Sequence, residues 1–324
     1  MTTALITIDT ELSALLHQRG ASVANNFAAS ITGRSAAGDF GIGWQMDVMD
    51  RWGVRGVYFV DPMPGLVYGP GFIADIVGPI IERGHEVQLH IHTEWLEWTK
   101  DRPVSATGRN IGDFGAADQL TLLTWARDAL VAAGAPPATA FRAGNYGADD
   151  RTIAVLPQLG IGWDSSFNAA YAGGDCQISL DPARIDPCMI GDVIEVPVAG
   201  IEDRPGRMRP AQICALSSAE MRGGLAHAVE TGRPLFSLVS HSFEMLSRDR
   251  MRPNRLVMSR FEALCEAIAI TPGVKSGGFR DLPSALPKTE TAPSRLPANG
   301  LRTAMRVAEQ IWGTWAYDRV LRPA

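Results

Sequence analysis

With 324 residues, the chain is long enough for one large α/β barrel or two ordinary domains. A hydrophobic content of 46% excludes a disordered chain, and a formal charge of −5 removes any global attraction to nucleic acid. The charge is uneven, because six basic and three acidic residues fall from Lys288 onward, leaving an acidic body and a basic tail.

Strand-like and helix-like segments alternate from the start. A strand over 4–9 runs into Asp9-Thr10-Glu11. Residues 12–38, with Asn25-Asn26 and weak periodicity, read as a long loop of the kind that covers a site or moves. A strand follows at 56–60. Phe72 to Arg83 is apolar on one face and stops at Gly84. The strand at 86–92 carries His90-Ile91-His92, and a Gly- and charge-rich loop occupies 99–116. A helix from Asp118 to Ala133 ends at Gly134, with Pro136 and Pro137 beyond. Strands at 139–143, 160–164 and 193–198 come next. The first leads into Arg142-Ala-Gly-Asn-Tyr146 and the second into Asp164-Ser-Ser. A helix from Ser218 to Thr231 precedes the strand at 235–240, which meets His241. A helix from Ser259 to Ala269 and a short strand at 273–276 complete the series.

This βα rhythm predicts an α/β fold with a mostly parallel sheet. Seven or eight units point to a closed or nearly closed barrel, and no GxGxxG follows the first strand, which weakens a dinucleotide-binding reading. Residues 283–299 contain four prolines and read as a linker. Beyond it, Leu301, Met305, Ala308, Trp312 and Trp315 recur at helical spacing, forming an apolar seam with Arg302, Arg306, Arg319 and Arg322 elsewhere on the segment. Such a helix either packs its tryptophans against the barrel or meets anionic lipid at the inner membrane face. Four cysteines without CxxC pairing argue against a disulfide framework. The N-terminus has no basic segment followed by an apolar stretch, and no run is long enough to span a bilayer, so a soluble cytoplasmic protein is expected.

Acids, imidazoles and an arginine at strand ends are what a barrel enzyme gathers around one mouth. Alternate residues of a strand face one side, so Asp9 and Glu11 can share a space, as can His90 and His92. Two carboxylates can divide labour between a cation and a proton, although Asp9 or Thr10 could equally cap the next element. The histidine pair suits one zinc, with Glu94 a further donor. His85, far from the mouth, is taken as structural. A buried Arg142 needs a carboxylate, and Asp164 at the next strand end is the natural candidate. His241 is either a general acid or a core histidine bonded to a carbonyl. Trp44, Trp95, Trp98 and Trp163 are candidates for stacking on sugars, or core residues.

The ordered signatures, an acid pair, Gly84-His85-Glu86 leading to the histidine pair, Arg142 to Gly147, Asp164-Ser165-Ser166 and His241, resemble the polysaccharide deacetylase family of carbohydrate esterases with a NodB-homology domain. The resemblance runs over about residues 4–282. It implies an irregular (β/α) barrel of about seven strands, residues 1–288, with 289–324 a Pro-rich linker and amphipathic C-terminal helix. It implies a metal-dependent deacetylase that hydrolyses the N-acetyl amide of a sugar. Asp9 stands at the catalytic base, His241 at the general acid, Asp164 braces Arg142, and a backbone amide near Tyr146 meets the oxyanion. Three departures from the family pattern stand out. The acid pair is spaced by Thr10, placing Glu11 or Asp9 on the metal. The second histidine is two residues from the first, leaving His92 and Glu94 as alternatives. An extra residue follows Arg142, so Asn145 or Tyr146 forms the oxyanion site. These variants resemble a branch associated with lipopolysaccharide and surface-polysaccharide biosynthesis. The expected cofactor is a divalent metal, zinc foremost, held by Glu11, His90 and His92. The expected partner is an N-acetylated sugar, a sugar nucleotide or a lipid-linked glycan. A glycosidase using Asp9 and Glu11 without metal, or a glycan-binding barrel without catalysis, are the alternatives.

Overall fold

The computed structural model describes residues 1–283 and 294–318. Its main sheet has nine strands: β1 (Thr2–Thr10), β2 (Gly56–Val60), β3 (Glu86–Ile91), β4 (Ala140–Ala143), β5 (Trp163–Asp164), β6 (Cys188–Ile190), β7 (Val193–Glu195), β8 (Leu235–His241) and β9 (Val274–Ser276). Their order is β8-β1-β2-β3-β4-β5-β7-β6, with β9 pairing β1 below β2. Every pairing is parallel except that of β6 with β7. The sheet curls until its ends meet. Ala199 N donates to Ser237 O at 3.0 Å and Ile213 N to Val239 O at 2.9 Å, so the chain beyond β7 satisfies the outer edge of β8. The result is the irregular barrel expected from the sequence, with seven parallel strands in its wall.

Helices α1 (Ile42–Arg51), α2 (Gly71–Glu82), α3 (Ala116–Ala132), α4 (Ser218–Glu230) and α5 (Arg255–Ile270) cover the outside, and α6 (Gly300–Gly313) follows. All nine residues of β1 are buried, as a parallel strand flanked on both faces requires. Its outward set, Ala4, Ile6 and Ile8, joins the core beneath the helices. Its inward set, Leu5, Thr7 and Asp9, climbs from an apolar barrel floor to a polar mouth. Gly84, at φ +75°, ends α2 in a conformation that side chains resist.

Two expectations change, and one alternative left open is narrowed. Residues 12–38 are not one loop. Ser13 and Ser22 cap short helices at Ala14–Gln18 and Val23–Phe27, and Arg34–Ser35 pairs with Gly38–Asp39. Buried Asn26 ties this segment together by bonding Ser13 and Ser30. Residues 200–210 form an unforeseen hairpin, Gly200–Arg204 against Arg207–Pro210. The apolar seam of α6 does not pack on the barrel. Leu301 is 73% exposed and Trp312 50%, whereas Arg306 is 1% exposed. Most of the proline-rich segment, together with Arg319 and Arg322, lies outside the described residues. No described helix is long and apolar enough to cross a membrane.

Candidate active site

Two lateral rows of the barrel interior build the site. In one, Asp9 of β1 pairs in register with His241 of β8. In the next, Thr10 pairs with Val60 and Val60 with Leu89, which brings Glu11, Asp61 and His90 side by side, and His90 pairs with Arg142 of β4. The rows face a polar cavity of about 270 Å³ at the carboxyl ends of the strands, where barrel enzymes keep their chemistry.

Glu11, His90 and His92 converge. Glu11 Oε2 lies 3.3 Å from His90 Nε2 and 2.5 Å from His92 Nε2. One donor atom from each falls within 4.8 Å of the others, the spacing a single ion requires. The ring nitrogens do not align to donate into Glu11 Oε2, which is buried with no hydrogen-bond partner among the described residues. An orphaned carboxylate oxygen facing two imidazole nitrogens fits a cation, and a His₂Glu donor set is one that zinc uses in catalytic sites. The outer contacts match. His90 Nδ1 donates to the Arg142 carbonyl at 2.7 Å, leaving Nε2 its lone pair. His92 Nδ1 lies 3.3 Å from Glu94 Oε2, so Glu94 stands behind His92 rather than in the cluster. Burial alone raises the Glu11 pKa, but the charge of His92 and the imidazole contacts outweigh it and hold the carboxyl well below its usual range. Burial depresses His92, and the Glu11 charge more than reverses this, raising it well above an ordinary histidine.

Asp9 sits opposite. Its Oδ1 accepts from Arg142 Nη1 at 2.8 Å. Burial pushes its pKa up, and the charges of Arg142, His90 and His241 bring it below the ordinary value. Arg142 is fully buried, donates to Thr7 Oγ1, Ser165 O and Ser165 Oγ as well, and lies 4.4 Å over the Phe59 ring. The expected bond from Asp164 to Arg142 is therefore corrected, because the arginine's carboxylate is Asp9. Asp164 instead accepts from Ser166 N and Oγ at 2.9 and 2.8 Å. Its acidic neighbour is Glu195, whose carboxyl is driven well above the usual range by burial and by the Asp164 charge.

His241 Nδ1 meets Glu244 Oε1 at 3.1 Å, and its Nε2 points toward Asp9 Oδ2 at 3.9 Å. Burial lowers its pKa, but Glu244, Asp9 and Glu11 outweigh burial and raise it to about 9. Glu244 also accepts from the His241 backbone N–H. Tyr146 and Asn145 line the same cavity, with φ of 57° and 56°. Two successive non-glycine residues in the left-handed region store strain of the sort found at functional sites.

Sequence reasoning missed three groups. Glu244 had a signal in its i+3 spacing from His241. Asp61 follows β2 directly as His92 follows β3, but a single acid between Val60 and Pro62 gives no pattern. Burial raises Asp61 to about 7, and its Oδ2 has no hydrogen-bond partner among the described residues. Tyr171, 39% exposed and 5.2 Å from the Tyr146 ring, is a second tyrosine lining the cavity. The four tryptophans considered for stacking are not among the residues lining it. Trp95 and Trp163 are buried, Trp44 packs on Phe261, and Trp98 packs on His17 and Trp95. His85 is structural as expected, since its Nδ1 accepts from Gly56 N at 3.1 Å.

No family model and no curated protein matches the sequence. Solved structures do. A protein described as a polysaccharide deacetylase from Mycobacterium smegmatis is 17% identical, with a TM-score of 0.56 over 90% of this chain and 94% of that one. A family 4 carbohydrate esterase from Streptomyces lividans, in complex with acetate, is 12% identical, with a TM-score of 0.42 over 86% and 92%. The chitin deacetylase of Colletotrichum lindemuthianum is 13% identical, with a TM-score of 0.43 over 85% and 84%. The Mycobacterium likeness, which spans nearly the whole of both chains, shows a shared barrel fold.

Proposed function

We propose that this protein is a metal-dependent deacetylase that hydrolyses the N-acetyl amide of a sugar. The observation that carries the reading is one cavity with three parts: the Glu11–His90–His92 cluster, the ionised Asp9 held by Arg142, and the protonated His241 held by Glu244. The barrel fold shared with the Mycobacterium protein supports it. A divalent metal, zinc foremost for this donor set, held by Glu11, His90 and His92, would polarise the acetyl carbonyl and acidify the attacking water.

The chain's own groups supply the proton transfers. Asp9, kept ionised by Arg142, accepts a proton from water as its oxygen adds to the acetyl carbon. Asn145 and Tyr146 line the cavity, and a backbone amide there would meet the developing oxyanion. His241, charged below pH 9, gives its Nε2 proton to the sugar nitrogen as the C–N bond breaks, leaving acetate and an amine. Asp164 acts behind Arg142 through Ser166, whose Oγ donates to Asp164 and accepts from Ala143 N, as a positioning residue.

A glycosidase needs one of its two carboxyls protonated. Asp9 and Glu11 are both held ionised, which disfavours that reading. The substrate is assigned to surface-polysaccharide or lipopolysaccharide assembly on the strength of the motif variants, as a sugar nucleotide or lipid-linked glycan. Four unpaired cysteines suit the reducing cytoplasm. The test is acetate release from N-acetyl sugars by purified protein, with metal content measured before and after chelation. Metal-dependent acetate release supports the reading. A barrel that binds metal and glycan without turnover supports the binding module instead, and glycan cleavage unaffected by chelator supports the glycosidase.

A further inference from the structure

Helix α6 is docked inside out. Its one buried residue is Arg306, while Leu301, Met305, Ile311 and Trp312, with Trp315 in the turn that follows, are 73%, 53%, 68%, 50% and 61% exposed. Polar contacts fix this orientation. Arg306 Nε meets Glu220 Oε1 at 3.0 Å and its Nη2 meets Asp203 Oδ2 at 3.3 Å, both in buried surroundings. Glu309 pairs with Arg260 at 2.7 Å, and Thr303 Oγ1 donates to Asp203 O at 2.9 Å. The helix cannot roll its apolar face inward without stranding buried charge. A contiguous face this apolar marks an interaction site.

The surroundings say what meets it. The loop after β8 reaches the end of α6, since Arg248 N donates to Tyr317 O and Arg252 Nη2 to Ala316 O. Arg248, Arg252 and Arg255 are exposed beside the tryptophan end, and so is Met251. The intervening Asp249 is turned onto Ser247 Oγ and Met251 N. An apolar face with tryptophans, bordered by arginines on an otherwise acidic protein, complements an anionic lipid surface. A second copy is the alternative occupant, and its signature would be a dimer that depends on the tryptophans. We propose that α6 and the arginine loop seat this protein on anionic lipid. The same loop reaches the cavity wall, as Arg250 lies 4.1 Å over Phe243, whose ring is 5.4 Å from that of His241. Resting on the deacetylase reading, the substrate is then the lipid-linked sugar rather than the sugar nucleotide.

The experiment is co-sedimentation of the full chain with vesicles of phosphatidylglycerol and of phosphatidylcholine, with light scattering to give the mass in solution. The protein should pellet with phosphatidylglycerol vesicles, less so at high salt, and hardly with phosphatidylcholine. Trp312→Ser with Trp315→Ser, and separately Arg248→Gln with Arg255→Gln, should each cut partitioning about tenfold or more. Neither pair touches the cavity, so acetate release from a soluble N-acetyl sugar should be unchanged. Wild-type protein that ignores phosphatidylglycerol overturns the proposal. So does a dimer that the tryptophan variant turns into a monomer, or vesicle binding that both variants retain. Because binding is read without turnover, failure of the deacetylase reading leaves this result standing, and the reverse holds too.

Discussion

A histidine tied to a carboxylate on one nitrogen and facing another carboxylate across the second keeps its proton far into alkaline pH. For His241 the folded pKa is about 9, above the ordinary 6.5. Protonation therefore favours the folded state: that stability is complete below about 6.5 and is lost as pH rises through about 9. Acid catalysis by His241 should fail over the same upper limit, giving a turnover profile whose alkaline limb falls near pH 9. Glu244→Gln removes the largest charge holding the proton, so the limb should move down by about one unit or more. A limb that stays in place would assign it to another group. Asp9→Asn should abolish acetate release. It should also cost about 1–3 kcal/mol in denaturant unfolding, because Arg142 then keeps a neutral acceptor where it had its carboxylate. On the proposed metal reading, His90→Ala and His92→Ala should each greatly lower metal content, read by metal analysis of the purified variants, while full occupancy in both would move the site elsewhere. The sequence made the i, i+2 pairings of acids and imidazoles legible because strand alternation is a local rule. It misassigned the partner of Arg142, because a contact from β4 across the barrel to β1 has no local trace.

At the scale of elements, apolar runs bounded by glycine, proline or charge located β1 to β5, β7 to β9 and helices α2 to α5 within a few residues. Each of those segments is marked locally, by a continuous apolar run or an apolar face with a breaker or charge beyond it. The short helices in 12–38 and the hairpin at 200–210 were missed for a shared reason. Neither has an apolar stripe: the short helices are held by caps and side-chain bonds, such as Ser13 and Asn26, and the hairpin is a backbone ladder whose arms are rich in charge. Where elements meet, one glycine sets the site's dimensions. A Cβ on Gly144 would lie 2.7 Å from the Ile91 carbonyl oxygen and 2.8 Å from the His92 ring. Both are pinned, the first by the β3 ladder and the second by Glu94. Gly144→Ala should displace His92, weaken metal binding about tenfold, and lower the thermal midpoint, with the cost of overpacking at about 1–3 kcal/mol. Calorimetric titration with zinc checks this, and unchanged affinity would show that His92 is not set from that side.

For the whole molecule, the lesson lies in α6. Helical spacing correctly placed Leu301, Met305, Trp312 and Trp315 on one face. Periodicity reports which residues share a face, not which face is covered. What decided the matter was two buried acids far away in sequence. Glu220 closes the capping box of α4 with Ser217 and offers its other oxygen to Arg306, and Asp203 lies in the hairpin that was not foreseen. The barrel thus presents a charged socket to the tail, and the arginine fills it. Arg306→Met keeps much of the side-chain volume but leaves Glu220 without its cation, so it should cost about 3–5 kcal/mol. Asp203 keeps Arg209 at 3.1 Å, which places the loss toward the lower end. Trp312→Ser, at an exposed position, should stay within about 0.5 kcal/mol of wild type. Were the tryptophans packed in the core, the ranking would invert, with the tryptophan variant losing about 3–5 kcal/mol. Denaturant midpoints of the two variants decide which face the barrel holds, and protease cleavage near Pro297 should accelerate only in Arg306→Met, where the helix has lost its anchor.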